Sequence, residues 1–374
     1  MLPSSISSTA HPDRRVTVHV TPEPAALQIA TYIQHRISTF DPTPAHPNFV
    51  LGLPTGSTPE RVYAYLCAFH AAGTLSFAHT VAFNMDEYAG LPGTHAQSYS
   101  HFLHTHLLAA TGLRARLLRG DAPDARAECA AHEAAIAAAG GVDLFLCGLG
   151  RDAHVAFNEP GCSLAGRTRV VVLADQTRRD NARFFGAGEE VPRRALSVGL
   201  ATVMGARELV VAAFGEAKAR AVALVVEGPV AARVPGSVLQ MHPCCKLVLD
   251  EAAAAELGNE MRAHYRLEEE AGMAEVGWVS PSCESARDEK RSTYESSLLL
   301  NVALRLFSSV RPYSGRLPQL PPPFPLVIPA PLRSHDGLHN IANHRPPPCV
   351  SQSPVGDLLH LRIGTFTWPI SSPS

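Results

Sequence analysis

The strongest constraint on this chain is an alternation that runs from Arg15 to about Glu270. Short β-branched apolar runs recur: Val16 to Val20, Phe49 to Leu53, Thr80 to Phe83, Leu144 to Cys147, Glu208 to Ala212 and Lys246 to Leu249. Near-continuous apolar runs of this length read as strands buried on both faces. Between them lie Ala-rich stretches with helical spacing, among them Ala25 to Ile37, Pro59 to Ala72, Ala125 to Ala139 and Lys218 to Val226. Alternation of this kind predicts an α/β protein, a three-layer α/β/α sandwich around a mostly parallel sheet. Ligands in such folds bind beyond the carboxyl ends of the strands, so functional residues are expected just after the apolar runs.

The alternation stops at about residue 275, and composition shifts there. Fifteen of the 31 prolines and both tryptophans, Trp278 and Trp368, come later. Runs such as Pro321-Pro322-Pro323 and Pro346-Pro347-Pro348 favour extended, poorly packed chain. The expected organisation is an N-terminal extension over 1–14, an α/β domain over 15–275 and a low-order C-terminal extension over 276–374. A formal charge of −2 gives no bulk affinity for nucleic acid or anionic membrane. No run approaches the ~18 apolar residues of a spanning helix, and Met1 to Arg15 lacks the apolar core of a signal peptide. Eight cysteines without a CxxC pair or framework spacing fit a reducing, cytoplasmic setting.

Three post-strand loops carry chemistry. Leu53-Pro54-Thr55-Gly56-Ser57-Thr58-Pro59 runs from a strand into a small-residue turn, with Pro59 placed to begin a helix. Gly56 permits close backbone approach, and Thr55, Ser57 and Thr58 offer hydroxyls and amides to an anion. The Gly-Lys-Ser/Thr of a Walker loop is missing, and alone the segment reads more readily as an ordinary capped turn. Phe83-Asn84-Met85-Asp86-Glu87-Tyr88 places two neighbouring carboxylates at a strand end. At least one of them must pair or face a cleft, where desolvation raises basicity. The other reading is a helix cap plus a surface acid. Gly148 to Gly161 follows a buried strand and brings Asp152, His154 and Glu159 within eight residues. An acid beside a histidine fixes its tautomer and raises its basicity.

Arg183 and Lys218 are candidate phosphate clamps, although each alone reads as a solvated surface charge. His95, His101, His104 and His106 are dense, but no zinc spacing joins them to cysteines or carboxylates, so no metal site is expected.

Together these strings resemble the glucosamine-6-phosphate deaminases over about residues 15–270. Leu-Gly-Leu-Pro-Thr-Gly-Ser-Thr-Pro, Phe-Asn-Met-Asp-Glu-Tyr-x-Gly-Leu-Pro and His-x-Ala-Phe-Asn-Glu-Pro-Gly carry the likeness. Ser163 to Arg169, Asn181 to Phe185 and Leu239 to Pro243 add to it. The resemblance implies an α/β/α sandwich and a cofactor-free conversion of glucosamine 6-phosphate to fructose 6-phosphate and ammonia. It implies that His154 assists ring opening, that Asp152 and Glu159 orient and tune it, and that Asp86 is the base that moves the C2 proton to C1. Thr55, Gly56, Ser57 and Thr58 with Arg183 and Lys218 would grip the phosphate. It also admits a homo-oligomer, since relatives occur as monomers and as hexamers.

Three positions depart from the family pattern. Ala153 replaces a glycine between Asp152 and His154, and a positive φ there would cost on the order of 1 kcal/mol. Ser163 and Arg169 match an allosteric site, yet Val171 stands where activated members carry lysine and Cys162 where serine is usual. Both weigh against activation by N-acetylglucosamine 6-phosphate. Ala231 to Val234 replaces an aromatic-containing run, which should loosen local packing. The competing readings are a 6-phosphogluconolactonase-type hydrolase and a non-catalytic sugar-phosphate sensor.

Overall fold

The computed structural model describes residues 16–259 except Ala187. The extension over 1–14, the domain boundary at 275 and the segment 276–374 lie outside the described residues.

All six expected strands form: β1 (Val16–His19), β2 (Phe49–Leu53), β3 (Thr80–Asn84), β6 (Leu144–Gly148), β9 (Glu208–Ala213) and β10 (Cys245–Asp250). With β5 (Arg114–Arg116) they build one seven-stranded sheet in the order β1-β10-β9-β6-β2-β3-β5, and every pairing in it is parallel. The apolar runs are continuous because both faces are covered. Along β6, Phe145 and Cys147 join one core cluster while Leu144 and Leu146 join the other. The same alternation separates Val211 from Val210 on β9 and Leu247 from Val248 on β10. The architecture is the α/β/α sandwich.

Helices α1 (Pro22–Ser38) and α2 (Ser57–Ala71) cover one face. In α1 the buried positions Ala25, Ala26, Ile29, Ala30, Ile33 and Ile37 follow helical spacing and leave the opposite side polar. Helix α3 (Tyr99–Leu103), a π turn over His104–Leu108 and α4 (Ala109–Thr111) add Leu103 and Leu107 to that face. The other face packs under α5 (Ala125–Ala138), α7 (Leu200–Met204) and α8 (Ala219–Val226). Two helix starts differ from expectation. Helix α2 opens at Ser57, not Pro59, because Gly56 takes φ +109 and serves as the N-cap residue. Lys218 closes a 3-10 turn, Glu216–Lys218, ahead of α8.

The apolar runs did not announce a second sheet. Strands β4 (Asp86–Tyr88), β8 (Arg194–Ser197) and β7 (Arg169–Val172) pair antiparallel in the order β4-β8-β7. Helix α6 (Asp175–Ala182) follows β7 and buries none of its residues. No helix among the described residues is long and apolar enough to cross a membrane.

Candidate active site

A cavity of about 580 Å³ opens at the carboxyl ends of β2, β3, β6 and β9 and is flanked by α6. Its position follows the general rule for parallel α/β sheets, and its size suits a sugar phosphate. The loop after β2 contributes Thr55, Gly56, Ser57 and Thr58, so the first-turn amides of the 15-residue helix α2 lie at the cavity wall. Such a terminus favours an anion.

Asp86 and Glu87 have divided the roles that their adjacency left open. Glu87 is fully buried and saturated: its carboxylate accepts from the amides of Tyr88, Tyr99 and Ser100 and from the Ser98 hydroxyl. It anchors the start of α3. Asp86, one residue earlier on β4, faces the cavity instead. Burial, and then the charge of Glu87, push the Asp86 carboxyl up to about 8. Pairing of Asp86 with Ser197 on β8 fixes the backbone that carries it.

His154 lies across the cavity wall on the loop after β6. Asp152 Oδ1 is 2.5 Å from His154 Nδ1, and the same oxygen accepts from the His154 amide at 3.3 Å. Burial raises the Asp152 pKa, but the hydrogen bond and charge of His154 outweigh it and hold the carboxyl below its ordinary value. The loop is tight. Ala153 adopts φ +65 and Ala156 φ +51, so the expected left-handed backbone at Ala153 is present despite the added Cβ. Ala153 is fully buried and its carbonyl accepts from the Gly236 amide at 2.8 Å, which holds the strained turn in place.

Glu159 does not reach His154. Its carboxylate accepts from the Ala174 amide and the Thr177 hydroxyl at the start of α6, and it is not among the cavity-lining residues. Four residues separate it from His154, and the turn over Val155–Asn158 carries it away. Glu159 instead contacts the start of α6, and α6 supplies Gln176, Thr177, Asp180 and Asn181 to the lining, followed by Arg183, Phe184 and Phe185.

Arg183 lines the cavity with its guanidinium 4.7 Å from the Phe184 ring centroid. Lys218 lines it from the far side of β9. Burial lowers the Lys218 pKa, repulsion from Arg151 lowers it further, and Asp152 offsets part of the shift.

A family model described as glucosamine-6-phosphate isomerases/6-phosphogluconolactonase matches residues 21–248. The chain belongs to that family. The glucosamine-6-phosphate deaminase of Aeromonas hydrophila is 46% identical over 235 residues, which are 62% of this chain and 88% of that protein. The deaminase of Porphyromonas gingivalis is 47% identical over 232 residues, 61% of this chain and 88% of that one. Among solved structures, a monomeric glucosamine-6-phosphate deaminase aligns with a TM-score of 0.61 at 35% identity, covering 65% of this chain and 99% of its own. A Trypanosoma cruzi 6-phosphogluconolactonase, at 18% identity and a TM-score of 0.53, shares the fold.

Within this isomerase/lactonase family fold, the structure gathers Thr55, Gly56, Ser57, Thr58, Asp86, Asp152, His154, Arg183 and Lys218 around one cavity. Ser163 and Arg169 lie outside its lining. The Arg169 guanidinium donates to Asn158 Oδ1 at 2.8 Å, and the Ser163 hydroxyl accepts from the Ala165 amide. Val171 packs against the cluster of Tyr88, Phe157, Leu173, Val191 and Ala195. The Ala231–Val234 segment closes on itself, and the Ala232 carbonyl accepts from Gly161, so it braces the third motif. Sequence reasoning passed over Arg151, Tyr88 and Asn181. The Tyr88 hydroxyl accepts from Asn181 Nδ2 at 2.9 Å and joins β4 to α6. A cation between Gly150 and Asp152 in a post-strand loop was a legible signal for Arg151. The His95 to His106 group forms no cluster of three metal-binding side chains among the described residues.

Proposed function

We infer that this chain isomerises and deaminates glucosamine 6-phosphate to fructose 6-phosphate and ammonia. The observation that carries the reading is the buried, cavity-facing Asp86 carboxyl, raised to about 8, across from a His154–Asp152 pair in the same cavity. The deaminases that it matches at 46–47% identity support the same chemistry.

His154, oriented through Nδ1 by Asp152, relays the proton that opens the pyranose to the aldehyde. Asp86 in its ionised form then removes the C2 proton while the C1 oxygen is protonated, giving an enolamine. Return of that proton to C1 leaves an iminium at C2. Water adds there, ammonia departs and the C2 ketone of fructose 6-phosphate remains. A base of raised pKa suits a weakly acidic carbon proton better than an ordinary carboxylate does. Ser57 and Thr58 at the α2 terminus, with Arg183 and Lys218, hold the phosphate. We place the reaction in the cytoplasm, in keeping with cysteines that form no disulfide among the described residues.

Ammonia release and fructose 6-phosphate formation from glucosamine 6-phosphate test the reading directly. Faster consumption of 6-phosphogluconolactone than of the amino sugar would replace it with hydrolysis. Asp86→Asn is expected to abolish exchange of the C2 proton with solvent while inorganic phosphate binding stays nearly intact. N-Acetylglucosamine 6-phosphate is expected to leave the rate unchanged, since Val171 is an apolar contact and Arg169 is engaged by Asn158.

A further inference from the structure

Strand order puts β6 between β2 and β9, with Gly52 beside Phe145 and Gly148 beside Ala212. The loops that follow these strands are therefore neighbours. The β2 loop ends in Ser57 and Thr58 at the amino end of α2, and the β9 side presents Lys218. Arg151 lies on the middle loop, between the two halves of the phosphate grip, and lines the same cavity.

The Arg151 side chain is exposed and makes no hydrogen bond or ion pair with another described residue. Lys218 likewise has no ion pair among the described residues, although it is partly buried. The two like charges repel each other, and Asp152 offsets only part of that repulsion at Lys218. The one acid beside them, Asp152, is already committed to His154 at 2.5 Å. Arg183 adds a third positive charge to the lining. The lining also holds the acids Glu60, Asp86, Asp152 and Asp180, but the Arg151 guanidinium has no hydrogen-bond or ion-pair partner among the described residues and stays available to an anion that enters beside Lys218.

We propose that Arg151 is a third cationic ligand of the substrate's phosphate and makes the site selective for a dianionic monoester. The proposal rests on the sugar-phosphate reading above and extends it to a residue that the motif resemblance did not assign. The planar guanidinium reaches phosphate oxygens from the loop that also carries Asp152 and His154, so phosphate binding and ring opening share one short segment. Arg151 binds substrate and does not touch the reacting carbons.

The test compares full-length wild-type protein with Arg151→Gln and Arg151→Lys. Binding of inorganic phosphate is measured by calorimetry at low ionic strength, alongside steady-state kinetics on glucosamine 6-phosphate. Arg151→Gln should weaken phosphate binding and raise KM by about tenfold, with kcat within about twofold. Arg151→Lys should recover most of the loss because the charge returns. In Arg151→Gln the alkaline rise of KM should move to higher pH, because Lys218 no longer has Arg151 repelling its proton. Unchanged phosphate affinity and unchanged KM in the folded Gln variant would overturn the assignment. If wild-type binds phosphate, Arg151→Gln does not, and neither releases ammonia, the ligand assignment stands and the deaminase reading falls.

Discussion

The His154 ring lies directly over the backbone of Gly150. A Cβ built on Gly150 would come 2.3 Å from both Cε1 and Nδ1 of that imidazole, and the Gly150 amide donates to the His154 carbonyl at 2.8 Å. The glycine is required by close approach and not by an unusual φ. Gly150→Ala should therefore push the ring off Asp152 and lower kcat/KM by about 10²-fold or more, the usual scale of a lost acid–base group. His154→Gln should cost a similar factor. The double variant should be no worse than the more impaired single one, because both remove the same function. Additive losses in that cycle would show that Gly150 acts elsewhere.

The raised Asp86 carboxyl sets a pH dependence whose sign is fixed. The catalytic form is the ionised one, so kcat/KM should rise with pH along a limb centred near 8, where the free protein titrates. Replacing Glu87 by Gln removes the neighbouring negative charge and should move that limb to lower pH. It should also cost about 1–3 kcal/mol of stability, since four hydrogen bonds to a buried carboxylate are weakened.

Stability gives an independent reading of the same group. Between 3.8 and about 8 the folded protein keeps a proton on Asp86 that the unfolded chain has released. Stability present at low pH is therefore lost as pH rises through this window, by up to ~1.4 kcal/mol per pH unit. Asp86→Asn should remove that slope and raise the thermal midpoint at neutral and alkaline pH while activity disappears. A variant with an unchanged or lower midpoint at alkaline pH would contradict the raised pKa.

Ala153 sits at φ +65 in a fully buried turn. Ala153→Gly relieves the left-handed strain and forfeits one buried methyl, so the net gain should be within about 1 kcal/mol. His154 already contacts Asp152 in the alanine form, so kcat should change by less than about threefold. Chemical denaturation and steady-state rates check both statements. A much larger rise in kcat would mean that the alanine misplaces the imidazole in solution.

Residues 21–248 match the family, and 65% of this chain covers 99% of a solved deaminase. We therefore expect a 1–275 fragment to retain the full chain's kcat/KM for ammonia release within about twofold. A larger loss would give the later residues a part in catalysis.

The sandwich was legible because its signal is local. Six apolar strands and their amphipathic helices each carry their own periodicity, and the rule that ligands sit at strand ends locates the functional loops from the sequence alone. Strand β7 carried a legible run, Val170-Val171-Val172-Leu173, that was passed over, whereas β4 and β8 were not legible. Asp86-Glu87-Tyr88 and Arg194-Ala195-Leu196-Ser197 have no apolar run, and they become strands only by pairing with each other across more than a hundred residues of chain.

The residue types and order of the site were likewise fixed by sequence: a hydroxyl loop, paired acids, an Asp–His unit and scattered cations. Tertiary structure decided how they are used. It turned Glu87 into an anchor and left Asp86 as the carboxyl that faces the cavity, because only one of these two alternating side chains on β4 points there. It drew Glu159 away to α6, and it set Arg151 against Lys218 because β6 and β9 are adjacent. Burial and like-charge proximity, which set pKa values and anion selectivity, are properties of neighbours in space, so they exist only once the chain has folded.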